Sequence, residues 1–423
     1  QLTGLLFDDG KYLKVPASIE AFRLDQAIAS KENVNLEILA WIKNGRANIQ
    51  WKTGKQQIIA ELLGLQVAVL QEVSTNDDAI PLFEIEWKTE PLGMASAQVF
   101  HPPNRIRKEI ANSSKHLRDT YEKSSERVSL DSLNALAVHY IREALTDFNP
   151  DEIQDTQKTY FRHLQSIAAG QIDQSFDRDG ESIETTLIRR CGKHLRLVLR
   201  GEKDPLSVLF PEGDMSLLTA LYEESYWAKW MNGVLCEAIR IGIKSVPNRP
   251  LRILEIGAGT GGTTVHVLKL LQSIGCEVGY VFTDVSHHFL AEGRRRLESF
   301  AGIKCELLDI ERPPKEQGIS GDFDLVIASN VIHATRNISD SLSHIRELLA
   351  PAGQIILLEI TDSMVWLDLV FGMTDGWWRF SDHELRPDHP LMNVDQWIGV
   401  CEQVGFSEVV PLGGSVIVAS EPA

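Results

Sequence analysis

Positive charge is scarce in this chain. Its 42 Lys and Arg stand against 59 Asp and Glu, a formal net charge of −17 over 423 residues. That balance argues against broad binding to a phosphate backbone, and no nucleic-acid partner is expected. Cysteine is sparse too. Cys191, Cys236, Cys276, Cys305 and Cys401 form no C-x-x-C pair and no zinc spacing. They read as buried thiols in a reducing, cytoplasmic setting. No apolar run is long enough to cross a membrane, and no secretory signal is present. Repeats and low-complexity tracts are missing, and no Asp/Glu/His cluster marks a metal site. The chain begins with Gln1 rather than Met, and mid-pattern, so a piece of a longer polypeptide is expected. Its length predicts two or three domains.

What is present centres on Leu251 to Thr264, LRILEIGAGTGGTT. Ile253 to Ile256 predicts a buried strand. Gly257, Gly259, Gly261 and Gly262 follow as a turn, and Thr264 to Leu271 as an amphipathic helix. Strand, glycine loop and helix open a nucleotide-binding doubly wound sheet. Glycines let a ligand approach where a Cβ would clash. The pattern alone suits NAD, FAD or S-adenosylmethionine (SAM). The second strand, Val278 to Phe282, ends on Thr283 and Asp284, an acid able to hold ribose hydroxyls in any of these. The third, Lys304 to Leu308, ends on Asp309 and Ile310. There a carboxylate can accept from an adenine amino group while the apolar neighbour flanks the ring. Glu255 lies inside the first strand, where an acid can orient a methionine moiety. Together the three acids favour SAM.

Residues 1–75 predict a β-rich segment: strands at Gly4–Phe7, Ile19–Leu24, Leu36–Ile42, Ala47–Trp51 and Gln57–Glu72, with turns at Asp8-Asp9-Gly10 and Thr53-Gly54. Residues 76–94 read as a linker carrying one strand, Pro81–Trp87, after a polar stretch at Ser74–Asp78. From 95 to 246 the periodicity is helical, over Leu130–Leu145, Gln157–Ala169, Ser182–Leu199 and Leu217–Ile243. This block is expected to cap the substrate opening. Its last helix brings Tyr222, Tyr226 and Trp227 near the glycine loop, and Tyr226 is a candidate to close over the cofactor. Residues 247–423 form the core. Asp324–Ala328 is the fourth strand, Ile338–Leu349 a helix stopped at Ala350–Gly353, and Gln354–Leu358 the fifth strand. Asn393–Val404 is a helix, and Glu408–Val410 with Ser415–Ala419 make a terminal hairpin that a dinucleotide fold lacks.

Ligands of open α/β sheets sit outside the carboxyl ends of the strands. Asn330 and His333 follow the fourth strand and Glu359 the fifth. Neighbouring strands lie roughly 5 Å apart, which predicts a His333–Glu359 pair beside the methyl donor. A carboxylate on one ring nitrogen leaves the other as a base. Transfer to carbon needs such a base. His287 and His288 are expected at the surface, His383 and His389 to border a tunnel, and Arg105, Arg107, Lys108 and Arg386 as solvated charges.

The run Leu217–Val410 resembles the C-methyltransferase domain of polyketide synthases, through ILEIGAGTGGTT, TDVS, LLDIE, DLVIASNVIHAT, GQIILLEIT and FGMTDGWWRFSDHELRPDHPLMNVDQWIGVCEQVGF. Residues 1–75 resemble the end of a double hot-dog dehydratase domain, and Pro81–Trp87 the first strand of a ketoreductase structural half. The resemblance implies an α/β, Rossmann-like, seven-stranded SAM-dependent methyltransferase fold with a C-terminal antiparallel hairpin, preceded by a helical cap and a small β-rich segment. It implies SAM as cofactor and S-adenosylhomocysteine as product. A phosphopantetheine-linked β-ketoacyl chain on acyl carrier protein would be the partner, within a multidomain synthase. His333 and Glu359 match the family's deprotonating pair. The cofactor residues are then Glu255, Gly257, Gly259, Gly261, Asp284, Asp309, Ile310, Asn330 and Tyr226, with no metal. The alternatives are an O- or N-methyltransferase of a small natural product and a non-catalytic domain of the same fold.

Overall fold

The computed structural model describes residues 12–18, 21–24, 36–43, 46–53, 58–72, 99–111, 129–170, 181–243, 249–413 and 415–422. The strands expected at Gly4–Phe7 and Pro81–Trp87, the two turns and the linker lie outside them. The chain divides into two compact units, Gln1–Glu90 and Pro91–Ala423.

The first unit is an antiparallel sheet of β1 (Tyr12–Ser18), β2 (Ala21–Leu24), β3 (Leu36–Lys43), β4 (Arg46–Thr53) and β5 (Ile58–Glu72). Its order is β1-β5-β4-β3, and β2 also pairs with β5. No strand is expected over β1, which contains Pro16. Proline is tolerated at sheet edges and bulges, and here β1 ends the order and its register shifts just after Pro16.

The second unit opens with helical residues 103–111. Then come α1 (Leu130–Leu145), α2 (Lys158–Ala169), α3 (Ile183–Leu199), α4 (Pro205–Leu209), α5 (Ser216–Glu223) and α6 (Tyr226–Gly242). The helix expected over Leu217–Ile243 is two helices. Ser225 separates them: its hydroxyl accepts from the Ala228 N–H as an N-cap and donates to the Leu221 carbonyl.

The core continues as β6 (Leu251–Ile256), α7 (Gly262–Ser273), β7 (Val278–Asp284), α8 (His287–Arg296), β8 (Ile303–Leu307), β9 (Phe323–Ser329), α9 (Ile338–Leu348), β10 (Leu349–Leu358), α10 (Val365–Phe371), α11 (Val394–Val404), β11 (Ser407–Gly413) and β12 (Val416–Ser420). The sheet order is β11-β12-β10-β9-β6-β7-β8. The strands from β10 to β8 are parallel, while β12 runs antiparallel between β10 and β11. The connection reverses direction at β6/β9, the crevice where ligands of such sheets sit. β10 starts five residues earlier than expected. Ala352 takes a φ of 59° and the register against β9 shifts between Leu349 and Gln354. A Cβ on Gly353 would lie 2.8 Å from the carbonyl oxygens of Ala350 and Phe323, so that tight passage needs glycine.

Strand alternation divides the core. Leu251 and Ile253 face a cluster with α6 and α7; Leu254 and Ile256 face one with α9 and α11. A third cluster lies within the cap, and α10 is part of it through Trp366, Leu367, Leu369 and Val370. The cap therefore draws one helix from the second half of the chain, while α6, expected as cap, packs on the sheet. Among the described residues no helix is long and apolar enough to cross a membrane, and all five cysteines are free.

Asp324 joins the starts of β6 and β9. It is buried and accepts two bonds of 2.7 Å from the Arg249 guanidinium, plus the Arg252 backbone N–H at 2.9 Å. Burial raises its carboxyl, but the Arg249 and Arg252 bonds outweigh this and hold it below the ordinary value. A depressed carboxylate stabilises the fold above its unfolded pKa and loses that contribution as pH falls through the folded value. Asp324→Asn is expected to cost about 2 kcal/mol at neutral pH. Urea midpoints should show the gap between variant and parent closing below about pH 4.

Candidate active site

The glycine loop adopts the backbone its residues predict. Gly257, Gly259 and Gly261 have φ of 58°, 54° and 76°. A Cβ on Gly257 would fall 2.2 Å from Val331 Cγ2, so the loop and the β9 end meet without room for a side chain. A cavity of about 280 Å³ lies over this loop. Glu255, Gly257, Gly259, Asp284, Ile310 and Asn330 line it, all singled out from the sequence. Gly261 and Asp309 are not in its wall, although Leu308 and Ile310 on either side of Asp309 are. Asp309 instead caps its own turn, accepting from the Glu311 N–H at 3.0 Å.

Glu255 is buried. One carboxyl oxygen accepts from Thr264 Oγ1 and from the Tyr280 hydroxyl, each at 2.6 Å. Burial pushes its pKa up to about 7 against those two bonds, and Asp284 adds to the rise. Asp284 accepts from the backbone N–H groups of Gly259 and Ser286, at 3.0 and 2.8 Å. Its burial raises the carboxyl above the ordinary value, opposed by these backbone bonds.

A second cavity, of about 210 Å³, opens between cap and core. Asn330, Ser329, Thr263, Tyr222 and Phe371 belong to both walls, so the two spaces meet there. Asn330 has a φ of 54°, a conformation asparagine tolerates better than most residues. Its Oδ1 is buried with no partner. Tyr226, the aromatic chosen from the sequence, is buried edge-on against Trp227 and lines neither cavity. Tyr222 stands in its place at the end of α5, because the Ser225 break turns the two residues in different directions.

The pair expected past β9 and β10 is formed. Parallel register sets Leu358 beside Ser329. His333 Nδ1 then lies 2.6 Å from Glu359 Oε2, and Glu359 Oε1 accepts from the N–H groups of Val331 and Ile332 at 3.1 and 2.8 Å. Both side chains are buried, and His333 Nε2 has no hydrogen-bond partner among the described residues. His333 is not in the wall of either cavity. Contact runs from its ring to Trp377, centroids 5.4 Å apart, and from Trp377 to Phe371 at 6.0 Å.

Arg386, expected as a solvated charge, is buried. Its guanidinium donates to the carbonyls of His333, Thr335 and Arg336 and pairs with Asp382, which accepts from the Ile338 N–H. Arg105, Arg107 and Lys108 are exposed, as are His287, His288 and His383. His389 lines neither cavity; with His163 it flanks Asp368, at 2.9 and 3.0 Å. The sequence showed no such cluster because 205 residues separate His163 from Asp368. Its atoms are close enough to hold a cation. The Leu391 N–H donates to His389 Nδ1, however, which puts the ring proton on Nε2, facing Asp368 as a donor. Hydrogen bonding accounts for the group.

The family described as "Methyltransferase domain" matches residues 254–355. The non-reducing polyketide synthase ausA of Penicillium brasilianum is 37% identical over 55% of this chain and 9% of its own length. The highly reducing polyketide synthase lcsB of Purpureocillium lilacinum is 30% identical over 82% of this chain and 14% of its own. The chain thus spans a small part of these relatives. The structure of the CurJ carbon methyltransferase superimposes with a TM-score of 0.67 at 33% identity, covering 76% of this chain and 100% of that one. The citrinin polyketide synthase CMeT domain shares the fold, with a TM-score of 0.65 at 24% identity over 76% and 99% of the two chains. A loop of three glycines at positive φ, flanked by Glu255 and Asp284, fits the cofactor of that fold, and the chain belongs to the SAM-dependent carbon methyltransferase domains of polyketide synthases.

Proposed function

We propose that this domain methylates the α-carbon of a β-ketoacyl thioester carried by the phosphopantetheine arm of an acyl carrier protein, with His333 as base and Glu359 as its partner. The observation that carries the reading is the 2.6 Å contact between His333 Nδ1 and Glu359 Oε2. A carboxylate accepts, so Nδ1 holds the ring proton and the lone pair is on Nε2. The two backbone donors on Glu359 Oε1 keep that carboxylate from swinging away. A carbon between two carbonyls is acidic enough for imidazole to deprotonate. SAM, when bound, supplies a methyl group on a sulfonium, already a strong electrophile. The chain contributes orientation, exclusion of water and removal of one proton.

Glu255 faces the methionine ammonium in this reading, Asp284 the ribose, and Asp309 with Ile310 the adenine. Gly257, Gly259 and Gly261 let the backbone come close. Asn330 and Tyr222 stand where cofactor and acyl chain meet, and the cap cavity takes the chain. Trp377 and Phe371 lie on the route from His333 to that cavity, so the thioester must reach past them or move them. The amino-terminal sheet is read as the end of a dehydratase domain, and other synthase domains as neighbours.

His333→Ala is expected to lower methylation by a factor of about 10²–10⁴ while SAM affinity changes by less than about two-fold. Intact-mass analysis of a β-ketoacyl carrier protein reads this, and a wild-type rate would sink the assignment. The pKa of about 7 at Glu255 carries a sign. A bound ammonium favours the ionised acid, so binding releases a proton. SAM affinity should rise with pH between about 6 and 8, by up to ten-fold per unit. Calorimetry across that range should find the slope gone in Glu255→Gln. Arg386 positions His333 through the backbone. Arg386→Leu should lower kcat by about 100-fold, with the KM for SAM nearly unchanged, as steady-state rates at varied SAM would show.

A further inference from the structure

Two acidic side chains line the cap cavity, Glu184 and Asp362; Asp362 is exposed to solvent, and Glu184 is buried. Its wall is largely apolar, with Trp227, Met231, Trp366, Leu367 and Phe371. Glu184, in the first turn of α3, also lines it and is 5% exposed. No hydrogen bond or ion pair engages its carboxyl among the described residues. Helix polarity favours acids in a first turn. That explains the residue type but not its direction, because the side chain is buried as a whole and its oxygens open onto the cavity rather than the outer surface. Polar groups at such depth ordinarily have a hydrogen-bond partner.

Two more acceptors line the same space. Asn232 donates through Nδ2 to the Tyr222 carbonyl, which fixes the amide's orientation and leaves Oδ1 buried and unpaired. Asn330 Oδ1 is likewise unpaired. Trp366 Nε1, in the same wall, is a buried donor without a partner, but acceptors outnumber it, and a cavity with that excess repels phosphate and carboxylate. It suits a mostly apolar chain that carries neutral hydrogen-bond donors.

We infer that Glu184 selects substrate by accepting a hydrogen bond from an amide N–H or hydroxyl of the thioester chain entering the cap cavity. The identity of that chain rests on the proposed function. The donor belongs either to the amides of the pantetheine arm or to a hydroxyl on the acyl chain. A chain without a donor leaves the carboxyl buried and unpaired, and a site built this way discriminates strongly against it.

The test compares wild type, Glu184→Gln and Glu184→Leu. Binding is read from quenching of tryptophan fluorescence, since Trp227 and Trp366 line the cavity, and turnover is measured separately. The probes are acetoacetyl-pantetheine thioester, the same molecule with each amide replaced in turn by an ester, and a 5-hydroxy-3-oxohexanoyl thioester beside its deoxy form. Glu184→Leu should weaken binding and raise KM by about ten-fold for the donor-bearing probe, with kcat within about two-fold. The penalty should vanish for the probe lacking the relevant donor, and Glu184→Gln, which keeps an acceptor, should fall between. Loss of the penalty in an ester probe identifies the arm; loss in the deoxy probe identifies the chain. A penalty equal for all probes, or none, overturns the inference. Selective binding by wild type without methylation would remove the proposed reaction and leave Glu184's role standing.

Discussion

The Glu359 carboxylate at the end of β10 is where two strands and the expected chemistry meet. Its Oε1 takes the N–H groups of Val331 and Ile332, and its Oε2 takes His333. Three donors from one short turn therefore converge on a single buried acid. The charge is compensated because every contact is a hydrogen bond aimed at it. The turn in exchange gains a fixed shape where no regular strand holds it. Register makes this possible: β9 and β10 are parallel and aligned, so the residues after Ser329 and Leu358 emerge side by side. Antiparallel β12 then closes the other flank of β10, with the Glu359 N–H donating to the Ser415 carbonyl.

Around that point the molecule uses buried ions as braces. Arg386 reaches the same turn from the segment between α10 and α11 and binds three of its carbonyls. Burial pulls its guanidinium below the ordinary value, opposed by the bond to Asp382. Asp368 holds His163 of α2 and His389 of the segment between α10 and α11. Its burial is outweighed by the two histidine bonds, which hold the carboxyl below the ordinary value. Cap and core are thereby joined through α10, a helix the chain sends out of the core into the cap's apolar cluster. The two cavities meet along Tyr222, Asn330 and Phe371 among others.

Local patterns in the sequence carried the sheet. The apolar run before the glycines and the acids at strand ends each bias a few adjacent residues, and the seven strands expected in the core formed within five positions of where they were expected. Errors arose where a single residue overrode a pattern. Ser225 broke an otherwise continuous helical periodicity, and β1, an edge strand with Pro16 inside it, was not among the strands expected. The glycine loop and the Glu255–Asp284 surroundings were legible because they lie close in sequence to the strands that present them. Arg386 was not: nothing local distinguishes an arginine destined for burial from a solvated one.

The sequence by itself determined which segments become strands and helices, where the sheet reverses direction, and which strand ends carry acids and an imidazole. Those properties follow from short-range sterics, periodicity and capping. Tertiary structure alone decided that Tyr222 and not Tyr226 faces the cavities, that Glu184 is buried with no donor among the described residues, and that residues 163, 368 and 389 share one site. Each outcome depends on the angles at which distant elements pack, and those angles are set by the whole core rather than by any run of neighbouring residues.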